Sequence, residues 1–448
     1  MGKPLLSIII PTYNRANLLE KMLTSLLPQI GNYKDEIELI VSDNCSTDHT
    51  KDVIESALKK ESFIYNKNNF NIGPVGNIFK TIQDIASGEF CWVLGDDDMV
   101  LNGKLHELIE TIKKNNNFDY FFINYFVKSI EERNDIIDNN NSIYHPSFEE
   151  CMLQDFVNKQ LSSWEELFGI QTFMPSYLFT AIVSSLFRRS TWIKYSKAIC
   201  LDNNAEMFST LDTAYPHLKV IALSMHNKSV YYIGDPIVLL GQGSQEWFHL
   251  LPKLLLYRLR DAIILYEQIG VSEKYLNIVR QHYYIQYGTI CAKLLEKNDD
   301  CSLELFNKAF DFEYLNGEIV NSFLKEMQLL LHKNKNNQKY LIDLLIRTLL
   351  NENDQDNLSI AIWGAGELGQ FLYESSVELA KRVEVIVDSS PKVQGTIFKN
   401  KHKIQSPTYL INNQVDVVII ASIKYVDEIM SLINQLDIKS KVISVGNI

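Results

Sequence analysis

The sequence has few cysteines, and none of them is arranged for metal binding or for a disulfide framework. Six cysteines are scattered over 448 residues, without a Cys-x-x-Cys pair and without a histidine tract nearby. This spacing indicates reduced thiols rather than a zinc site or a disulfide-rich secreted domain. A chain of this length can bury a large core without such cross-links.

Long apolar runs and an excess of positive charge are also missing. No uninterrupted apolar run approaches the roughly 20 residues of a membrane span, and the apolar start of the chain stops at Pro11. Lys and Arg number 43 against 55 Asp and Glu, which gives a formal net charge of −12. This balance argues against a dedicated nucleic-acid-binding protein. We expect a cytoplasmic protein that touches at most the inner face of the cell membrane.

What the sequence does contain is an alternation of short apolar runs with helical patterns. Apolar runs at 5–10 and 90–94 predict buried strands, and helical spacing follows the first of them. This alternation predicts an α/β fold with a mainly parallel sheet covered on both faces. We predict three parts, namely an α/β domain at 1–243, a helical linker or interaction segment at 244–350, and a small Rossmann-like α/β domain at 358–448.

Polar and acidic residues follow three of the predicted strands. The carboxyl ends of parallel strands meet at one edge of a sheet, where ligands bind in such folds. Asp96, Asp97 and Asp98 form the densest group, and three adjacent carboxylates repel one another unless a cation balances them. Mg²⁺ takes one or two carboxylates together with substrate phosphates, so this group suits a metal–diphosphate site. A solvated turn or a helix N-cap is the alternative interpretation.

Residues after the first two strands could line the same crevice. Thr12, Tyr13 and Arg15 follow the first strand; Tyr13 could stack on a ligand ring and Arg15 could pair with a phosphate. Asp43 follows the second strand, where its carboxylate could accept hydrogen bonds from a base or a ribose. Taken singly, Arg15 is better explained as an exposed charge at a helix start, and Asp43 as a turn residue is an open alternative.

Four motifs, in this order and spacing, make the sequence resemble family 2 glycosyltransferases. They are Ser-Ile-Ile-Ile-Pro-Thr-Tyr-Asn-Arg at 7–15, Val-Ser-Asp-Asn-Cys-Ser-Thr-Asp at 41–48, Asn-Ile-Gly-Pro-Val-Gly-Asn at 71–77 and Trp-Val-Leu-Gly-Asp-Asp-Asp at 92–98. The resemblance covers about the first 240 residues. It implies an A-type glycosyltransferase (nucleotide-diphospho-sugar transferase) fold, a nucleotide-diphosphate sugar donor, Mn²⁺ or Mg²⁺ as cofactor, and transfer with inversion at the anomeric carbon.

The resemblance also implies roles for individual residues. Asp96 and Asp98 would meet the metal and the diphosphate, and Asp97 would lie close to the donor sugar. Many relatives carry glycine where Cys45 stands, which affects the shape of the turn more than its chemistry. The nucleotide would be held by Pro11, Thr12, Tyr13, Arg15, Asp43, Asn44, Gly73, Asn77 and Asp96.

The general base has no equally clear motif. The family usually supplies an acidic residue roughly a hundred residues after the metal motif, to take the proton of the acceptor hydroxyl. Asp212 is the preferred candidate and Glu206 the runner-up, although the commoner Glu-Asp form is missing and a helix cap explains Asp212 equally well. His217 is a further candidate for contact with the metal or substrate, with packing as the alternative.

A second glycine pattern lies near the end of the chain. Gly364, Gly366 and Gly369 follow a predicted strand and open a helix, and Asp388 ends the next strand. This is the arrangement of a dinucleotide-binding fingerprint with its ribose-binding acid. NAD(P) binding is one interpretation. The other is a tight turn with close helix packing in a domain that acts as a scaffold or binds a partner.

The leading hypothesis is an inverting glycosyltransferase that moves a sugar to a hydroxyl of a glycan or lipid-linked glycan. Analogy with similar proteins indicates bacterial surface polysaccharide, such as capsule or lipopolysaccharide, as the product. The alternatives are an NAD(P)-binding oxidoreductase or nucleotide sensor centred on the last domain, and a silent assembly scaffold. We expect no nucleic-acid partner, and a homodimer through the helical segment is compatible with the sequence.

Overall fold

A computed structural model of the chain describes residues 2–139, 144–172, 174–200, 208–244, 250–297, 302, 305, 358–422 and 425–444. The chain divides into two compact units, Met1–His282 and Tyr283–Ile448. Each unit contains an α/β sheet of its own. The predicted division into three parts at 243 and 350 stays a prediction.

The first unit begins with four parallel strands in the order β3-β2-β1-β4. These strands are β1 (Leu6–Thr12), β2 (Ile37–Asp43), β3 (Ile64–Lys67) and β4 (Phe90–Val93). The intervening helices are α1 (Ala16–Ile30), α2 (Thr50–Leu58) and α3 (Gly73–Lys80). The apolar residues of β1 and β4 are buried because the sheet is covered on both faces. The α/β fold predicted from the alternation of patterns is confirmed.

Five further described strands extend this sheet to nine, and the extended sheet is mixed. From β4 onward the order is β4-β8-β6-β9-β5, and β7 pairs with β9. The added strands are β5 (Met99–Val100), β6 (Tyr120–Ser129), β7 (Lys159–Leu161), β8 (Ser185–Arg188) and β9 (Val230–Gln242). The helices among them are α4 (Lys104–Lys114), α5 (Ile130–Asp138), α6 (Arg189–Tyr195), α7 (Leu211–Ala214) and α8 (Pro216–Met225). β9 runs parallel to β6 and antiparallel to β5, which brings its end beside the segment that follows β4.

Helical structure follows β9, as the periodicity of this region predicts. It comprises α9 (Leu251–Lys253), a π-helical turn (Leu254–Arg258), α10 (Leu259–Ile269) and α11 (Glu273–Lys297). Helical spacing from residue 250 predicts one long helix, and the structure places a π-helical turn within it. Helical spacing also predicts helices near 303–310 and 319–331, which lie outside the described residues except for residue 305. Among the helices that can be described, none is both long enough and apolar enough to cross a membrane.

The second unit contains a six-stranded sheet in the order β12-β13-β11-β10-β14-β15. Its strands are β10 (Ile360–Trp363), β11 (Val383–Val387), β12 (Ile397–Phe398), β13 (His402–Gln405), β14 (Val417–Ile420) and β15 (Lys441–Ser444). Its helices are α12 (Glu367–Ser375), α13 (Val377–Arg382), α14 (Tyr409–Asn412) and α15 (Val426–Gln435). All its pairings are parallel except that of β12 with β13, and the parallel strands follow the 3-2-1-4-5 order of doubly wound sheets. The α/β structure predicted for this part of the chain is confirmed, whereas a separate Rossmann-like domain at 358–448 stays a prediction.

Candidate functional site

The three adjacent aspartates lie directly after β4, at the carboxyl end of the parallel part of the sheet. Asp96, Asp97 and Asp98 are only 2%, 7% and 5% exposed, so the interpretation as a solvated turn is wrong. The segment turns tightly, because the Gly95 N–H donates to Asp98 Oδ2 at 2.6 Å and the Asp98 N–H to the Gly95 carbonyl at 3.1 Å. We call residues 95–98 the acidic loop.

Side chains that follow β1 contact the acidic loop directly. Arg15 forms two ion pairs, from Nη1 to Asp96 Oδ1 at 2.7 Å and from Nη2 to Asp97 Oδ2 at 2.8 Å. The Thr12 hydroxyl donates to Asp96 Oδ2 at 2.8 Å. The structure therefore brings together the ends of β1 and β4, as the sequence predicts for parallel strands. Arg15 is not the solvated charge of the simpler interpretation.

The end of β9 supports the acidic loop from another side. The Gly241 N–H donates to Asp98 Oδ1 at 3.3 Å, and a Cβ at Gly241 would lie 2.1 Å from the Asp97 carbonyl oxygen. Only glycine allows the two backbones to approach this closely. Ser244 donates to Asp97 Oδ2 at 2.6 Å and accepts a hydrogen bond from Arg15. Neither Gly241 nor Ser244 is predicted from the sequence, because no local motif marks them.

A second arginine lies beneath the acidic loop. Arg133, in α5, is fully buried, and its Nη1 donates to the Asp96 carbonyl oxygen at 3.2 Å. Its Nε and Nη2 donate to Asn134 Oδ1 at 3.3 and 3.0 Å. Burial lowers the pKa of Arg133, whereas the neighbouring aspartates oppose that shift. Sequence reasoning misses this residue, because its polar helix looks like a solvated one.

Burial and neighbouring carboxylates raise the pKa values of two carboxyl groups in the acidic loop. Burial raises the pKa of Asp96 to about 7; Arg15 and Thr12 oppose the shift, and Asp97 adds to it. Burial also raises the pKa of Asp98 well above its usual range, with further contributions from the charges of Asp97 and Asp96. An added cation would favour the ionised carboxylates and relieve this repulsion.

The donor set fits a divalent cation that shares its ligands with a substrate. Within the described ranges, no three His, Cys, Asp or Glu side chains converge as a complete metal site. Mg²⁺ characteristically binds through one or two carboxylates plus phosphate oxygens and water. Asp96 and Asp98 provide carboxylate oxygens that match this requirement. Such a site does not need sulfur or nitrogen ligands.

Asp43 is fixed at the end of β2 by contacts from two directions. It is fully buried, and its Oδ1 accepts from the Ser46 N–H at 2.7 Å. Its Oδ2 accepts from the Tyr65 hydroxyl at 3.1 Å and lies 3.6 Å from Lys67 Nζ. Burial and the charge of Asp43 raise the pKa of Tyr65. The carboxylate is thereby held in one orientation at the strand end. Its predicted contact with a base stays a prediction.

Asn44 and Asn77 hold the segment at 71–77 against the end of β2. Asn44 Nδ2 donates to Asn71 Oδ1 at 2.7 Å and to the Gly73 carbonyl at 3.1 Å, and its Oδ1 accepts from the Ile72 N–H at 3.0 Å. Asn77 Nδ2 donates to the carbonyl oxygen of Ser42, in β2, at 2.8 Å. Gly73 has φ +76°, a left-handed conformation that glycine adopts without strain. These residues shape the wall of the candidate site.

Two turns at the site use left-handed backbone without glycine. Cys45 has φ +71° and Asn14 has φ +52°. At Cys45 this conformation would suit a glycine, since glycine has no Cβ to strain the turn. Tyr13, between β1 and Asn14, is 40% exposed, and Pro11 is half-buried. An exposed ring at this place is available for stacking.

Asp48 connects the turns that follow β1 and β2. Its Oδ2 accepts from the Ala16 N–H at 3.1 Å, at the start of α1. Its Oδ1 accepts from the Thr50 N–H at 3.1 Å and from the Thr50 hydroxyl at 2.6 Å, at the start of α2. The carboxylate of Asp48 therefore bonds the first N–H group of both α1 and α2, although the N-cap residues of these helices are Arg15 and His49.

The candidate residues for the general base and for metal contact have mainly structural contacts. Asp212 accepts from Lys219 Nζ at 2.8 and 3.0 Å and from the Cys200 N–H at 2.9 Å. His217 is buried, and its Nε2 donates to the Phe179 carbonyl oxygen at 2.9 Å. Burial lowers the pKa of His217 to about 4. Glu206 lies outside the described residues. The catalytic role of Asp212 stays a prediction.

The glycine-rich loop of the second unit packs closely on neighbouring backbone. Gly364 has φ +122°, and a Cβ there would lie 2.5 Å from the Ala421 carbonyl oxygen. A Cβ at Gly369 would lie 1.9 Å from the Gly364 carbonyl oxygen, whereas Gly366 faces open space. Asp388 accepts from the Ala365 and Ser390 N–H groups, each at 2.8 Å. Two of the three glycines thus have a packing reason, and dinucleotide binding stays a prediction.

Comparisons with known proteins agree with the placement of these motifs. Residues 7–175 match the family model described as Glycosyl transferase family 2. The chain is 38% identical over 103 residues to abequosyltransferase RfbV of Salmonella typhimurium, which covers 22% of this chain and 30% of that protein. It is 40% identical over 127 residues to GalNAc(5)-diNAcBac-PP-undecaprenol beta-1,3-glucosyltransferase of Campylobacter jejuni, covering 28% and 39%.

These similarities are confined to part of each protein. The chain matches well under half the length of both relatives. Among solved structures, residues 1–349 of TarS from S. aureus are 16% identical, with a TM-score of 0.46, over 78% of this chain and 88% of that one. A similarity at this level is too weak to carry a structural conclusion.

Proposed function

The chain belongs to glycosyl transferase family 2 through residues 7–175, and from this premise we propose that it moves a sugar from a nucleotide-diphosphate donor to a hydroxyl of a glycan acceptor. The observation that carries the proposal is the buried acidic loop, in which burial and mutual repulsion of three adjacent carboxyl groups raise the pKa values of Asp96 and Asp98. A scaffold protein has no need to bury three neighbouring aspartates. The charge suits a divalent cation and the diphosphate of a donor.

We assign the donor site to the edge of the sheet that carries the ends of β1, β2 and β4. Asp96 and Asp98 would hold Mn²⁺ or Mg²⁺, and the ion would neutralise the charge that develops on the leaving diphosphate. Asp97 would contact the donor sugar. Tyr13 would stack on the base and Asp43 would accept its hydrogen bonds. Support for these roles comes from the burial of the carboxylates and from the shared edge of the sheet.

The acceptor is proposed to be a glycan or a lipid-linked glycan of a bacterial surface polysaccharide. The undecaprenol-linked glycan in the name of the Campylobacter jejuni relative supports this class. Inversion requires a base that takes the proton of the acceptor hydroxyl, and we keep Asp212 for this role with Glu206 as the second choice. The pairing of Asp212 with Lys219 means that the base would have to exchange one contact for the acceptor.

Thermal unfolding with UDP, GDP, CDP and dTDP sugars, each with and without Mn²⁺, tests the donor site. A ligand that binds the native state raises the apparent melting temperature by mass action. We expect a metal-dependent shift with one nucleotide class, and its loss in Asp98→Asn. Asp84→Asn is the matched control, because Asp84 is an exposed aspartate on the π-helical turn that follows α3.

The proposal is wrong if all nucleotides shift the wild type and Asp98→Asn alike. In the same series, Asp212→Asn should keep the donor shift and slow transfer by about 10²- to 10⁴-fold, the range of general-base catalysis. Unchanged transfer in Asp212→Asn, combined with a large loss in Glu206→Gln, would move the base to Glu206.

A further inference from the structure

Two groups in the proposed donor site attract the guanidinium of Arg15, namely the acidic loop and the phosphate of the donor. The structure pairs its guanidinium with Asp96 and Asp97, at 2.7 and 2.8 Å. The phosphate of a bound donor is the other partner that a guanidinium at this strand end would serve. A divalent cation at the same carboxylates would meet the positive charge of Arg15 at close range. The two cations therefore compete for the carboxylate of Asp96, which pairs with Arg15 and is also a proposed metal ligand.

We propose that Arg15 is a built-in counter-ion of the acidic loop, which is displaced from the carboxylates when a nucleoside diphosphate and a divalent cation bind together. This inference rests on the proposed function and adds an order to it. The diphosphate attracts the guanidinium, and Asp96, once released, accepts the metal together with Asp98. The metal alone has to displace Arg15 without compensation, so it binds weakly.

The two arginines at the acidic loop differ in their freedom to make this exchange. Arg133 is fully buried on α5 and donates to the backbone carbonyl of Asp96, so it stays in place whatever the carboxylates bind. The side chain of Arg15 is 27% exposed, and Arg15 directly precedes α1. Arg15 is thus the cation of the pair that can turn toward a ligand at the sheet edge.

Ser244 fixes Arg15 in its paired position. Its hydroxyl donates to Asp97 Oδ2 at 2.6 Å and accepts from Arg15 Nη2. The same serine therefore contacts both members of one ion pair, and its removal should weaken the pairing without changing any charge. Ser244 acts through Arg15 and is a positioning residue.

Mutual displacement has a measurable consequence. Binding of the diphosphate should strengthen binding of the metal, and thermodynamic linkage requires the reverse to the same extent. Removal of the guanidinium should reduce this coupling to the direct attraction between the metal and the diphosphate. It should also strengthen binding of the metal alone, because Asp96 loses the cation that pairs with it.

Titration of the full-length protein with Mn²⁺ alone, followed by electron paramagnetic resonance, tests the inference without any donor. We expect Arg15→Gln to bind Mn²⁺ at least about tenfold more tightly than the wild type, since a nearby unit charge is removed. Arg280→Gln is the control; Arg280 pairs with Glu267 at 2.7 Å and Glu273 at 2.8 Å. Equal or weaker Mn²⁺ binding by folded Arg15→Gln would overturn the inference.

Ser244→Ala covers the case in which Arg15→Gln fails to fold. It keeps every charge, and we expect the same direction with a smaller effect, about two- to threefold. Unchanged Mn²⁺ affinity in this variant then overturns the inference. Arg15→Lys should lie between wild type and Arg15→Gln, because one ammonium cannot match both carboxylates as a guanidinium does.

The outcomes separate this inference from the proposed function. A metal-dependent donor shift in the wild type, together with unchanged Mn²⁺ affinity in Arg15→Gln, rejects the counter-ion role and leaves the transferase proposal standing. Absence of donor shifts and of Mn²⁺ binding in every variant rejects both.

Discussion

The acidic loop after β4 and the glycine-rich loop after β10 occupy comparable places, each at the carboxyl end of a strand with a parallel neighbour. In the acidic loop the carboxylates are bonded by side chains from distant elements, such as Thr12, Arg15 and Ser244. Beside the glycine-rich loop, Asp388 follows β11 and is bonded by the backbone N–H groups of Ala365 and Ser390. The two loops thus occupy the same place in their sheets, but different groups balance the charge of the carboxylates.

This difference indicates what a strand-end loop needs in order to become a ligand site. A single carboxylate such as Asp388 can be bonded by backbone N–H groups without a cationic side chain. Three adjacent carboxylates require cations, and in the first unit Arg15 and Arg133 contact the acidic loop. A loop whose charge is balanced by side chains can exchange such a side chain for a ligand. A carboxylate bonded by backbone N–H groups has no side chain to exchange.

The largest expected effect comes from adding a Cβ at a glycine that packs closely on the backbone of each loop. A Cβ at Gly241 would lie 2.1 Å from the Asp97 carbonyl oxygen, and one at Gly369 would lie 1.9 Å from that of Gly364. Gly241→Ala should cost more than about 3 kcal/mol of unfolding free energy, because backbone must move, and should abolish the metal-dependent donor shift. Gly369→Ala should destabilise the second unit and leave the donor shift intact.

Gly366→Ala is the control for both variants, since its Cβ would meet nothing within 4 Å and its φ is −72°. Chemical denaturation and the donor thermal shift, measured on the same samples, give the two readouts. Retention of the donor shift in Gly241→Ala would contradict the view that the end of β9 shapes the acidic loop.

A second comparison concerns one buried histidine in each unit. Burial lowers the pKa of His217 from 6.5 to about 4, and it also lowers the pKa of His402. Between these values the unfolded chain binds more protons than the folded one at His217, so stability falls as the pH drops below about 6.5. The full loss is on the order of 3 kcal/mol once the pH reaches about 4.

Urea unfolding at a series of pH values measures this loss. His217→Gln should flatten the decline between pH 6.5 and 4, because glutamine keeps a donor for Phe179 and does not titrate there. His402→Gln should flatten it less, since His402 is less deeply buried. A slope in His217→Gln equal to that of the wild type would show that His217 stays neutral in both states or is charged in both.

The smallest expected effect concerns turns with left-handed backbone. Cys45 in the first unit has φ +71°, and Asn400 in the second has φ +58°. Asparagine tolerates this conformation better than cysteine, so Cys45→Gly should stabilise the protein by about 0.5 to 1 kcal/mol and Asn400→Gly by less. Cys45→Ala, which keeps the Cβ, separates backbone strain from loss of the thiol. Stabilisation by alanine equal to that by glycine would refute the strain argument.

Sequence patterns were sufficient to predict those parts of the candidate site that depend on residues adjacent in the chain. The end of β4 and its three aspartates, the end of β2 with Asp43, and the strand before the second glycine pattern all follow from short apolar runs and the residues that stop them. Parallel strands then place these ends at one edge of the sheet. The meeting of Thr12 and Arg15 with the acidic loop is a direct result of this rule.

Tertiary packing decided the rest. Gly241 lies 143 residues after Asp98, and its need for a bare backbone arises only when β9 closes on the acidic loop. Arg133 belongs to a polar helix, and its burial depends on which side of α5 faces the loop. Partners of this kind have no local signal, since the same residues elsewhere would be surface residues.

The carboxylate of Asp48, which bonds the first turns of both α1 and α2, has a consequence for engineering. A single side chain outside the donor site sets the spacing between the turn that carries Tyr13 and the turn that follows Asp43. Mutagenesis that aims to change the preferred donor can therefore target Asp48, which lies outside the proposed donor site. A library that varies position 48 should change the spacing of these two turns while every residue proposed to bind the nucleotide stays the same.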